Sequence, residues 1–151
     1  MILIMLQTNS YQCPEVLLEQ ARLFPPTPTA IVGAHGMLPM ESAKLAQDQN
    51  LILPTFVGDK SEILKIAEIL QWGIDEERII HSKDDVETAR VSAKLAGDGE
   101  VAALMKGQIH TDDFMLGVLK KDSGLRRGRR LTHVFHMTVP DHVTPLMITD
   151  G

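Results

Sequence analysis

An alternation constrains this chain more than any other feature. Short apolar runs fall at residues 30–34, 51–58, 78–81 and 101–105. After them come segments whose apolar residues recur every three or four positions, at 39–49, 60–71, 84–96 and from Thr111 onward. That spacing puts Ile63, Ile66, Ala67 and Leu70 on one side of a helix. It does the same for Val86, Ala89, Ala93 and Ala96. Strands alternating with helices specify a parallel sheet covered on both faces. The expectation is an α/β fold of three layers, α/β/α, with a mostly parallel sheet. An earlier helix is predicted at 14–24, closed by Pro25, Pro26 and Pro28.

Punctuation residues refine the boundaries. Pro39 suits the first turn of the 39–49 helix. Pro54 is expected before or at the start of its strand, because proline cannot donate to a ladder. Gly73 stops the 60–71 helix. The pair Asp84 and Asp85 reads as a helix N-cap rather than a metal pair. Thr111 is predicted to cap the next helix, with Asp112 and Asp113 in the first turn, where the helix dipole favours acids.

The alternation then breaks. Residues 133–139 and 145–149 form two apolar runs with a short loop and no helix between them. Such runs pair antiparallel, which makes the expected sheet mixed. The sequence stops at Thr149-Asp150-Gly151, directly after a strand. A strand left without its covering helix reads as an incomplete α/β fold, with 1–13 a tail.

Composition narrows the function. A chain of 151 residues is one ordinary domain, able to bury a core without disulfides. Apolar residues at 44% and charged residues at 23% are those of a soluble globular protein. A net charge of −5 argues against a nucleic-acid surface. Aromatic residues at 4% supply no stacking platform for bases. The single cysteine, Cys13, cannot close an internal disulfide and suits a cytoplasmic protein. The apolar start at residues 1–6 is too short to span a membrane and lacks the marks of a signal peptide.

Open α/β sheets bind ligands at the carboxyl ends of their strands. Here those ends read Gly33-Ala34-His35-Gly36, Val57-Gly58-Asp59-Lys60, His81-Ser82 and Lys106-Gly107-Gln108. Glycine at such ends lets a ligand approach the backbone. The glycine spacing fits neither a phosphate loop nor a dinucleotide fingerprint. Lys106 closes an apolar run, so its ammonium either snorkels to water or faces an anion such as phosphate. Residues 126–130 carry four arginines in five positions, the one basic cluster of an acidic chain. Arginine grips phosphate through two N–H groups, so the cluster suits a small polyanion, while a solvated loop stays open. His133, His136 and His142 do not suggest a metal, because the first two point to opposite faces of a strand. Asp150 follows a strand, where its carboxylate could face a cleft. No nucleophile–base constellation can be read from the spacing.

Four blocks, taken in order and spacing, carry more. They are VGDKSEI at 57–63, ALMKGQIHTDDFM at 103–115, SGLRRGRRLTHVF at 123–135 and PLMITDG at 145–151. From about Leu23 to Gly151 the chain resembles the phosphate acetyl/butyryltransferase family. The resemblance implies transfer of a short acyl group between coenzyme A and inorganic phosphate. It implies a two-domain fold similar to isocitrate and isopropylmalate dehydrogenases, with the site in the cleft. Acyl-CoA and phosphate are then the partners, with a homo-oligomer and no nucleic acid or membrane. No metal or organic cofactor is implied, coenzyme A being a substrate. Carried over residue by residue, the substrate-binding set is Lys106, Gly107, Thr111, Arg129, Thr132, His133 and Asp150, with Arg126 toward the CoA phosphates. Members of the family are about twice as long, so the resemblance implies that 14–151 is the N-terminal part of such a domain, with the second domain absent. Their acid/base carboxylate, and a serine–arginine pair near CoA, would lie beyond this sequence, so no catalytic residue is assigned. An arginine often found in the helix after the lysine–glycine turn has no counterpart near Leu116 and Gly117. A non-catalytic α/β module that binds phosphate or CoA is the alternative.

Overall fold

The computed structural model describes residues 13–126, 128, 131–137 and 146–149. They fall into two compact units. The larger, Pro25–Arg130, is the α/β layer structure. Its strands are β1 (Thr27–Val32), β2 (Ile52–Gly58), β3 (Ile79–His81) and β4 (Ala103–Lys106). They run parallel in the order β3-β2-β1-β4. The intervening helices are α2 (Met37–Asp48), α3 (Lys60–Ile69) and α4 (Asp85–Asp98), and α5 (Thr111–Leu119) follows β4.

The side chains of β1 explain the layers. Residues alternate faces along a strand. Ile31 packs with Met40, Ala43, Phe56 and Ile63, the α2 and α3 side. Its neighbours Ala30 and Val32 pack on the α4 side, Ala30 with Leu95 and Val32 with Ala89.

 Phe56 and Trp72 meet edge to face with ring centres 5.2 Å apart. β1 is thus covered on both faces, as the apolar run at 30–34 requires. β4 lies at the sheet edge and is only half-buried, so its apolar run is not the fully buried strand that its composition suggests.

The second unit contains α1 (Glu15–Ala21) and a hairpin of β5 (Val134–Met137) and β6 (Leu146–Thr149). The hairpin is antiparallel, with Phe135 opposite Ile148 and His136 opposite Met147. The Thr149 hydroxyl donates to the His133 carbonyl at 2.7 Å. Among the described residues the hairpin forms a sheet of its own. The expected mixed sheet is therefore two sheets, one parallel and one antiparallel. The short connection lets β5 and β6 satisfy each other's backbone groups.

Two prolines lie deeper in strands than expected. Pro54 sits inside β2, and its carbonyl accepts from the Arg78 guanidinium at 3.4 Å. The backbone edge of Pro54 therefore faces the β3 side, where pairing starts only at Phe56 and Ile79. No ladder donor is lost there. Pro28 lies inside β1 rather than closing α1, which ends at Ala21. Its carbonyl accepts from Ala102 N–H at 2.8 Å, one residue before β4 begins. None of the described helices is long and apolar enough to cross a membrane.

Candidate functional site

The carboxyl ends of β1 and β4 lie side by side, because the two strands pair with Val32 opposite Lys106. Their turns are laced together. Gly107 N–H donates to the Val32 carbonyl at 2.8 Å, and Gln108 N–H donates to the Gly33 carbonyl at 2.9 Å. Gly33 takes a positive φ of 79°. A Cβ there would stand 2.7 Å from the Gln108 carbonyl oxygen. A Cβ on Gly107 would stand 2.6 Å from the Gly33 carbonyl oxygen. The Gln108 side chain covers Gly36. These glycines are required by turn-on-turn packing, which accounts for them without a ligand.

Above these turns opens a cleft of about 490 Å³, lined by His35, Asp85, Lys106, Gly107, Gln108, Ile109 and His110. Lys106, the last residue of β4, is exposed, and no described carboxylate forms an ion pair with it. Asp85 is engaged instead with the backbone, accepting from His110 N–H at 3.3 Å. His110, not Thr111, holds the N-cap position of α5, and its side chain makes no capping bond. Thr111 is the exposed first helical residue, next to the cleft wall. The predicted cap is thus displaced by one residue: Thr111 already has helical geometry, and His110 has the extended geometry of a cap.

A second cleft, of about 190 Å³, lies at the ends of β2 and β3 and shares His35 and Asp85 with the first. Its other carboxylates serve helices. Asp59 caps α3, accepting from Glu62 N–H at 3.0 Å and from the Ser61 hydroxyl at 2.6 Å. The Ser61 hydroxyl, the Glu62 N–H and, more weakly, the charge of His81 hold the Asp59 carboxyl below its ordinary 3.8. Asp84 caps α4 through Glu87 N–H at 2.8 Å, as the sequence predicts. No group of three or more potential metal ligands gathers among the described residues.

Of the predicted set, the structure brings Lys106 and Gly107 together in one cleft, with Thr111 beside it. Arg126 is exposed and lines neither cleft. Thr132 and His133 belong to the other unit, where the His133 ring meets Phe135 edge to face at 5.1 Å. Arg129 and Asp150 lie outside the described residues, as does His142. The sequence reading places Gln108 at a strand end that could meet a ligand, and it does not single out His110 as lining the cleft. The usable signal for His110 was its position just after a strand that ends in a cation.

No protein-family model matches the sequence. Similarity to individual proteins is clear. A phosphate acetyltransferase of Rickettsia felis is 35% identical over 135 residues, 89% of this chain and 39% of that protein. A phosphate butyryltransferase of Clostridium beijerinckii is 31% identical over 135 residues, 89% of this chain and 45% of that protein. The crystal structure of a branched-chain phosphotransacylase from Enterococcus faecalis V583 superposes with a TM-score of 0.63 at 25% identity, covering 82% of this chain and 42% of that one. A phosphotransacetylase from Streptococcus pyogenes superposes with a TM-score of 0.69, over 90% of this chain and 51% of that one. At 14% identity that second match speaks for the fold alone. The chain is thus similar to phosphate acetyl- and butyryltransferases along most of its length, and spans about two-fifths of the length of those relatives.

Proposed function

We propose that this chain contributes to a phosphate acyltransferase, which moves a short acyl group between coenzyme A and inorganic phosphate. The observation that carries the reading is the likeness to phosphate acetyl- and butyryltransferases over 89% of the chain. Lys106, without an ion-pair partner among the described residues, over an open cleft at the carboxyl ends of β1 and β4, supports it.

In the acyl phosphate-forming direction, a phosphate oxygen attacks the thioester carbonyl carbon. The carbon–oxygen bond forms, the carbon–sulfur bond breaks, and CoA leaves as its thiolate. Both ends of this exchange are anionic. The work of the protein is therefore orientation and charge stabilisation. Lys106 would neutralise phosphate oxygens, and the Thr111 hydroxyl at the first turn of α5 would donate to them. The resemblance further assigns Arg129, Thr132, His133 and Asp150 to substrate binding, with Arg126 toward the CoA phosphates. Coenzyme A enters as substrate, with no further cofactor called for. The setting would be cytoplasmic and the assembly a homo-oligomer.

Thermal melts with and without ligand test this reading. Inorganic phosphate and CoA at millimolar concentration are each expected to raise the Tm of the chain, since a ligand that binds only the native state stabilises it. CoA release from acetyl- or butyryl-CoA with phosphate, followed with a thiol reagent, tests the chemistry. Absence of protection by phosphate, CoA and both acyl-CoAs alike would refute the proposal.

A further inference from the structure

We infer that His35 is a further contact for the anion at Lys106, donating a hydrogen bond from its Nε2; the inference rests on the phosphate reading above. His35 follows β1 in the Gly33–Gly36 turn and lines both clefts. Its ring is half-buried, and the burial is one-sided. Nδ1 is shielded from water and has no hydrogen-bond partner among the described residues. It lies against Gly58, where a Cβ would stand only 2.8 Å from it. Gly58 therefore leaves room for the imidazole, and the ring meets the clefts through its other atoms.

The orphaned nitrogen decides what the ring can offer. A proton on Nδ1 would be a buried donor without an acceptor, an arrangement that proteins avoid. The neutral ring accordingly carries its proton on Nε2. That tautomer turns the accessible side of the ring into a donor. In the larger cleft it shares the walls with the exposed ammonium of Lys106. The one carboxylate among its described lining, Asp85, is already accepting from His110 N–H. A cation and a neutral donor facing one open space suit a tetrahedral oxyanion, which accepts several hydrogen bonds at once.

Inorganic phosphate is the probe. Long-range proton–nitrogen spectra of the intact chain should show His35 protonated at Nε2, and phosphate should shift that nitrogen along one saturation curve with the Tm. Loss of a hydrogen bond to a charged group predicts roughly tenfold weaker phosphate binding in His35→Ala. His35→Gln, whose amide nitrogen reaches a similar point, should recover most of the affinity. If phosphate protects the wild type and Lys106→Ala abolishes that protection, but His35→Ala titrates like wild type, the role of His35 is refuted while the phosphate site stands. An Nε2 resonance unmoved at saturating phosphate refutes it equally, with no variant required to fold. A wild-type chain that phosphate does not protect overturns the site itself, and this contact with it.

Discussion

Lys106 and Gly107 are adjacent and have separable tasks. The lysine is exposed and unpaired among the described residues, so little of the fold rests on it. Lys106→Ala should leave stability within about 0.5 kcal/mol of wild type while sharply weakening phosphate protection. Melts in buffer and in phosphate read the two effects separately. Gly107 is the reverse case. An added methyl would stand 2.6 Å from the Gly33 carbonyl oxygen and 3.0 Å from that of Val32, both held by hydrogen bonds from the β4 turn. Gly107→Ala should cost about 1–3 kcal/mol, the range for overpacking, as seen in urea unfolding. The sequence shows a glycine at this point but not why it is there. The reason lies in a turn more than seventy residues away in the chain. The same holds for His35: its place at a strand end is legible, and its orphaned Nδ1 beside Gly58 is not.

Elements were the most legible scale, because each apolar run and helical stripe is a local pattern. The runs at 51–58 and 78–81 correspond to β2 and β3, and the stripe at 60–71 to α3. What local pattern cannot supply is the partner. Pro54 is tolerated inside β2 because β3 begins opposite Phe56, a fact of register. The separation of β5 and β6 from the parallel sheet is likewise a matter of pairing. Capping, by contrast, is local, and Asp59 and Asp84 cap their helices through side-chain acceptors. Asp59 gives this scale its test. Its folded-state pKa lies below the ordinary 3.8, chiefly through the Ser61 hydroxyl and the Glu62 N–H. A depressed carboxyl stabilises the fold above the unfolded pKa and loses that contribution as pH falls through the folded one. Asp59→Asn keeps a capping oxygen and removes the titration. Wild type should exceed this variant in Tm by a constant margin near neutrality, and the margin should shrink below about pH 3.8. A margin that persists unchanged to pH 2 would show that the charge of Asp59 contributes nothing.

At the scale of the whole molecule, the proposed substrate contacts divide between two units. Lys106, Gly107, Thr111 and His35 belong to Pro25–Arg130, and Thr132 and His133 to the other unit. The larger unit carries both faces of its own core, with Ile31, Phe56 and Ile63 on one side of the sheet and Ala30, Val57 and Leu95 on the other. The described side chains of β5 and β6 are all exposed. It follows that a fragment of residues 25–130 should fold alone. Its urea transition should be cooperative, with the mixed helix and strand circular dichroism of an α/β protein. Phosphate should still raise its Tm, because Lys106 and the β1 and β4 turns are retained. A fragment that folds but shows no such rise would take the anion away from Lys106 and the sheet end. A non-cooperative transition would show that residues 25–130 do not fold by themselves.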